Sequence, residues 1–274
     1  MEENKITKCL NCGTEFEGKF CPECGQRADT ERFTIRHIFK NFIQALLSND
    51  GGVWVTVKSL FTRPGQMVID ILNGKRKSYF SPFPMLLLTL SVYVLIFTFT
   101  GSKRADYEKL VSDQNTTEVV EDKELTDEDM MDETITELIM KSVSFAATNY
   151  TAVFLLTIPV YILSARISFG KKNRKKYYWG EYCIPMVYSL IMVVLYQCVM
   201  SIAFYFSADL YEKMGHFTTL VHVIGCTACF HKMMGFRIVK MVWRSFLTIA
   251  LYLTIVISLA VCAIIAYATT YYIS

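Results

Sequence analysis

Charge is missing from five long stretches of this chain. Residues 78–102, 142–165, 182–208, 214–231 and 245–274 contain no Asp, Glu, Lys or Arg. Only 19% of the 274 residues are charged and 53% are hydrophobic, with a mean hydropathy of +0.31. An ordinary soluble domain carries about 25% charge, so a soluble enzyme and a disordered chain are both excluded. A hydrocarbon core of about 30 Å takes roughly 20 apolar helical residues to cross, and four of the five stretches are that long. Also missing are the strings of familiar catalysis. There is no His-Glu-x-x-His and no Gly-x-Ser-x-Gly. Gly74-Lys75-Arg76 lacks the earlier glycine and the Ser/Thr of a phosphate loop. No enzymatic activity is expected. The start lacks the basic-then-apolar pattern of a cleavable signal, because residues 1–32 hold four cysteines and twelve charges.

The fold expected is therefore all-α and membrane-embedded, with spans near 82–101, 146–166, 183–206, 217–233 and 245–272. Charge sets the orientation. The segment 103–141 is net −8, 166–181 is net +5, 209–213 is net −1 and 232–244 is net +4. Retention of Lys and Arg on the cytoplasmic side puts the N-terminus and the basic loops inside. The acidic loop 103–141 and the C-terminus then lie outside, after five crossings. The fourth crossing is short and contains His222. A four-crossing alternative would leave the basic loop 232–244 outside.

What is present in chemical terms is concentrated at the start. Cys9, Cys12, Cys21 and Cys24 form a Cys-x2-Cys-x8-Cys-x2-Cys array, with Gly13 and Gly25 after the second cysteine of each pair. Four thiolates suit a tetrahedral zinc ion, each pair being supplied by one tight turn in which glycine accepts positive φ. A unit of about 30 residues buries too little apolar surface to fold alone, so the metal supplies stability. Residues 1–30 are thus expected to be a zinc ribbon. Its net charge over residues 1–32 is −2, the wrong sign for nucleic acid. Protein docking or a structural role is expected instead. Phe16 and Phe20 are its only large aromatics, serving as its small core or as its contact surface.

Residues 33–77 read as a cytoplasmic helical segment. Ile35, Ile38, Phe39, Phe42 and Leu46 share one helical face, which points to an interfacial helix or to packing under the bundle. A second apolar stretch over 53–61 breaks at Arg63-Pro64-Gly65. Lys75, Arg76 and Lys77 form a basic turn ahead of the first span, placed to contact anionic membrane lipid.

Thr56, Leu60, Pro64, Gly65, Gly74, Lys75, Arg76, Tyr79 and Pro82, together with the ribbon, make a pattern. It resembles a bacterial family of uncharacterised integral membrane proteins that joins an N-terminal zinc ribbon to several membrane helices. The resemblance covers the ribbon and roughly residues 33–90. It implies a bacterial inner-membrane location and lends no activity.

Ionisable groups inside spans mark most transport pathways. Here the spans hold no acid, lysine or arginine except Arg166 and Lys232 at their ends, which favours a non-enzymatic scaffold or regulator over a small-solute transporter or channel. The exception is His222, Cys226 and Cys229, which fall on one helical face and could hold a second metal or serve a redox role. The same face, with Gly225 and Ala228, also reads as a small-residue packing surface.

Overall fold

The computed structural model describes residues 6–28, 52–115 and 150–273. The helix-patterned stretch 35–46 and most of the acidic segment 103–141 lie outside the described residues. A small two-stranded unit comes first: β1 (Thr7–Lys8) pairs antiparallel with β2 (Glu15–Phe16). Every other element among the described residues is helical. These are α1 (Gly52–Thr62), α2 (Pro64–Leu72), α3 (Pro82–Asn115), α4 (Tyr150–Ser168), α5 (Lys171–Lys176), α6 (Trp179–Phe206), α7 (Ala208–Gly215), α8 (Thr218–Met234) and α9 (Ile238–Ile273).

Three helical segments are long and apolar enough to cross a membrane: Pro82–Gly101, Trp179–Phe206 and Ile238–Cys262. A shorter apolar segment runs over Phe154–Ser168. Helix α8, of 17 residues, is about 25 Å long at 1.5 Å per residue. Two boundaries differ from the sequence reading, which places the basic clusters in loops. Lys240 and Arg244 lie inside α9, and Lys171–Lys176 is itself the helix α5. Long cationic stems tolerate a helical backbone while their heads reach a polar layer, so charge marks the level in the membrane better than it marks a loop.

In hydrocarbon each backbone polar group must be satisfied within the chain, which is why apolar runs of this length form helices. Several Ser and Thr hydroxyls follow the same rule by bonding back along their own helix. Thr89 donates to Leu86 O at 2.9 Å, Ser164 to Val160 O at 2.9 Å, Thr248 to Arg244 O at 2.8 Å and Ser258 to Thr254 O at 2.7 Å.

Helix α6 is the centre of the assembly. It packs against α3, α4 and α8, while α9 closes on α4 and α8. Its buried face includes Tyr182, Met186, Val187, Tyr188, Ile191 and Val194. Outward, the bundle presents bare apolar side chains: Leu95 and Phe99 on α3, Leu156 on α4, Phe206 on α6, Ile257 and Leu259 on α9. In water such a surface would be a large exposed apolar patch; in lipid it is the expected exterior. The helices are tied at one end by Tyr188 Oη to Phe80 O (2.6 Å), Tyr177 Oη to Met233 O (2.7 Å) and Ser168 Oγ to Arg244 O (2.7 Å).

The short helices α1 and α2 belong to this same end, and the reasons are local. Pro64 opens α2 at its first turn, where its missing N–H costs nothing. Asp70 then collects Gln66 Nε2 at 2.8 Å and Tyr79 Oη at 2.9 Å. Gly74 takes φ +94° and turns the chain toward α3. Thr56 locks α1 onto that turn, accepting from Phe80 N at 2.7 Å and donating to Gly52 O at 2.6 Å. Helix α2 seats on α8 so closely that a Cβ on Gly65 would lie 2.9 Å from Ala228 O.

Candidate metal centre

Two knuckles of the same construction build the cysteine site. In the first, Cys9 N donates to Thr14 O and Gly13 N to Cys9 O, at 2.8 and 2.9 Å; in the second, Cys21 N donates to Gln26 O and Gly25 N to Cys21 O, both at 2.8 Å. Gly13 and Gly25 have φ of +84° and +69°, the region a Cβ disfavours. The turns aim all four sulfurs inward, within 4.8 Å of one another. Cys9 Sγ and Cys24 Sγ are 3.6 Å apart, and Cys12 Sγ and Cys21 Sγ 3.5 Å. A tetrahedron with metal–sulfur bonds of about 2.3 Å has edges of about 3.8 Å, so the donor set fits one tetrahedral metal ion. Phe16, buried with Cys9 and Cys21, is the apolar centre of the unit, whereas Phe20 is 59% exposed.

The thiols do not share one environment. Thr14, with Oγ1 3.3 Å from Cys12 Sγ and its backbone N–H, brings the Cys12 thiol down to about 6. Burial pushes Cys24 up to about 11. Burial acts the same way on Cys9, but the amides of Cys12 and Asn11 outweigh it and hold that thiol below its ordinary value. A thiolate is the ligand form, so Cys12 is ready for metal at neutral pH while Cys24 must give up a proton to it.

The site is not isolated. Asn11, inside the first knuckle, accepts from Ser78 N (3.2 Å) and Ser78 Oγ (2.8 Å) through Oδ1. Gln26, just past the second knuckle, donates from Nε2 to Gly74 O at 2.9 Å. Its Oε1 accepts from Arg76 N at 3.1 Å and Lys77 N at 3.2 Å. The ribbon thus grips the turn 74–78 by its backbone, and the Lys77 stem passes 3.6 Å from the Cβ position of Gly25. Lys75, Arg76 and Lys77 are half-buried under this contact rather than projecting freely. Spacing can point to the metal ligands, but nothing in it pairs Asn11 with a residue 67 positions away. The one clue in the sequence is that the two residues inside a knuckle face outward and Asn11 is the polar one.

Cys226 and Cys229 are fully buried on α8, and the His222 ring meets Tyr161 edge-on at 5.0 Å. Gly225 packs against Ser189 O and Met192 of α6. Among the described residues, the group whose ligand atoms converge on one point is the set of four N-terminal cysteines, not these three. Their place is the seam where α8 meets α4 and α6. At the opposite end of the bundle, Tyr93, Gln197, Ser201, Tyr211 and Glu212 line a cavity of about 250 Å³.

Among known proteins, no curated sequence matches this chain, and no solved structure does. Residues 50–94 match a family described as a protein of unknown function (DUF3667), a segment that runs from α1 through the gripped turn into the first apolar helix.

Proposed function

We propose that this chain is an integral protein of the bacterial inner membrane, crossing five times with its N-terminus cytoplasmic. Its ribbon holds one zinc ion and works as a metal-dependent clamp on the turn that launches the first span. It is a non-enzymatic scaffold or regulator, and its output is the position of that turn. The observation that carries this reading is the five-bond contact of Asn11 and Gln26 with the backbone and side chain at Gly74, Arg76, Lys77 and Ser78. Both side chains hang from knuckles whose shape the metal maintains, so losing the metal loosens the grip. Zinc is favoured by the all-thiolate donor set and its spacing. A protein partner, where there is one, meets the exposed side chains of Ile6, Leu10 and Phe20.

The test is hydrogen exchange on the full-length protein in detergent, with and without a zinc chelator. Amides of Arg76, Lys77 and Ser78 should exchange faster once the metal is removed, while those of α6 stay protected. Unchanged exchange at 76–78 would defeat the clamp. Topology is read separately. A cytoplasm-only reporter should be active after Lys176 or Arg244, and a periplasm-only reporter after Glu124 or Ser274. A cytoplasmic signal at Ser274 would overturn the five-crossing arrangement.

One observation favours a second reading, a small-solute transporter or channel. The cavity lined by Tyr93, Gln197, Ser201 and Glu212 mixes polar and apolar surface and lies at the end away from the ribbon. Solute uptake by reconstituted vesicles that Gln197→Ala removes would support it.

A further inference from the structure

The corner where α4 ends and α6 begins has six basic residues between 166 and 176, and Glu181 is the only acid between 150 and 208. That carboxylate is buried and already accepts the Tyr178 amide at 2.9 Å. Arg166 sits with its guanidinium carbon 4.4 Å from the Trp179 ring centre and 5.8 Å from that of Tyr182. Its Nη2 makes a long bond, 3.4 Å, to Arg174 O. Its Nη1 is buried and donates to nothing among the described residues. The hydroxyl of Tyr182, on a completely buried side chain, is also without a partner among them. A buried guanidinium N–H and a buried hydroxyl, both without a partner among the described residues, leave one thing wanting, an anionic acceptor.

We propose that Arg166, with Tyr182, binds a phosphate group, that of an anionic phospholipid headgroup. The planar fork of a guanidinium matches phosphate oxygens, and such charge-assisted bonds are the strong ones. The surroundings say why the phosphate belongs to a lipid. Trp179 and Tyr178 are exposed at the start of α6, as rings at headgroup level are. Leu163 and Ile167, on either side of Arg166 along α4, are exposed apolar side chains against which acyl chains can lie. Anionic lipid gathers where lysine and arginine are dense, and this corner is the densest such run in the chain. The inference rests on the membrane reading above and goes beyond it, since the ribbon takes no part.

The full-length protein, reconstituted in vesicles of equal parts phosphatidylglycerol and phosphatidylcholine, is re-extracted and its retained lipid counted. The wild type should hold phosphatidylglycerol preferentially. Arg166→Gln should weaken that retention by about tenfold, the scale of one lost charged hydrogen bond. Tyr182→Phe, which keeps the ring and the packing, should weaken it by a smaller factor. Arg237→Gln, the same charge change at an exposed position, should leave it unaltered. Equal retention in wild type, Arg166→Gln and Tyr182→Phe, with all three inserted, overturns the proposal. Stabilisation of the delipidated protein by inorganic phosphate, lost in Arg166→Gln while no lipid is retained, overturns the lipid as source. A chain that stays in solution without detergent fails the membrane reading instead, a result visible before any lipid is counted.

Discussion

The side-chain amide of Gln26 donates to the carbonyl of Gly74 at 2.9 Å, across 48 residues of sequence. Gly74 holds φ +94° in the turn after α2, and Gln26 is only 5% exposed in making this contact. A buried amide in such a place must satisfy both its ends, and Gln26 does so by accepting from Arg76 N and Lys77 N as well.

Gln26→Ala should therefore detach the ribbon without emptying it. The metal stays because no ligand is touched, while three bonds to the turn vanish and the Gly74 carbonyl is stranded. The expected cost to the docked state is about 1–3 kcal/mol. Metal content by mass spectrometry should be unchanged, and hydrogen exchange at the Arg76 and Lys77 amides should become faster. Metal loss in this variant would mean that Gln26 shapes the knuckle rather than the contact.

Phe16 and Phe20 should behave differently. Phe16 is buried against Cys9 and Cys21, so Phe16→Ala opens a void beside two ligands and should weaken metal binding; Phe20 is 59% exposed, so Phe20→Ala should leave it intact. Competition with a chromophoric zinc chelator ranks the two. Equal affinities would show that the ribbon needs no apolar centre.

Acid should release the metal. Protons compete for thiolates, so affinity falls as pH falls. Cys24, pushed up to about 11, reprotonates before Cys12, brought down to about 6. Thr14→Ala should raise the Cys12 thiol and move the release curve toward higher pH, because the hydroxyl that favours its thiolate is gone. A release curve that Thr14→Ala leaves in place would assign the low value of Cys12 to its backbone alone.

Gly65→Ala should damage the bundle where Gly225→Ala does not. A Cβ at Gly65 would stand 2.9 Å from the Ala228 carbonyl, a backbone atom that cannot swing aside; at Gly225 the nearest atoms are at 3.5 Å, an ordinary contact. The expected penalty for Gly65→Ala is about 1–3 kcal/mol, from separating α2 and α8. Thermal unfolding in detergent measures it, and equal midpoints for the two variants would contradict the close approach.

The sequence alone determined the cluster of four cysteines, the helical class and the break between α1 and α2. The reasons are local. A Cys-x2-Cys-Gly knuckle is closed by bonds within six residues, an apolar run in lipid has no choice but helix, and proline after Arg63 starts a new helix. It also marked Thr56, Gly65, Gly74 and Tyr79 as a pattern without saying what each does. Tertiary structure decided that. Thr56 and Tyr79 fasten α1 and α2 to the turn, Gly65 admits the α8 backbone, and Gly74 offers its carbonyl to the ribbon. The seat of the ribbon joins residues 48 to 67 positions apart, and the separate fates of Phe16 and Phe20 and the corner at Arg166 turn on burial. Hydrogen-bond reach and burial at such distances depend on how the helices pack, and no periodicity or spacing along the sequence carries that information.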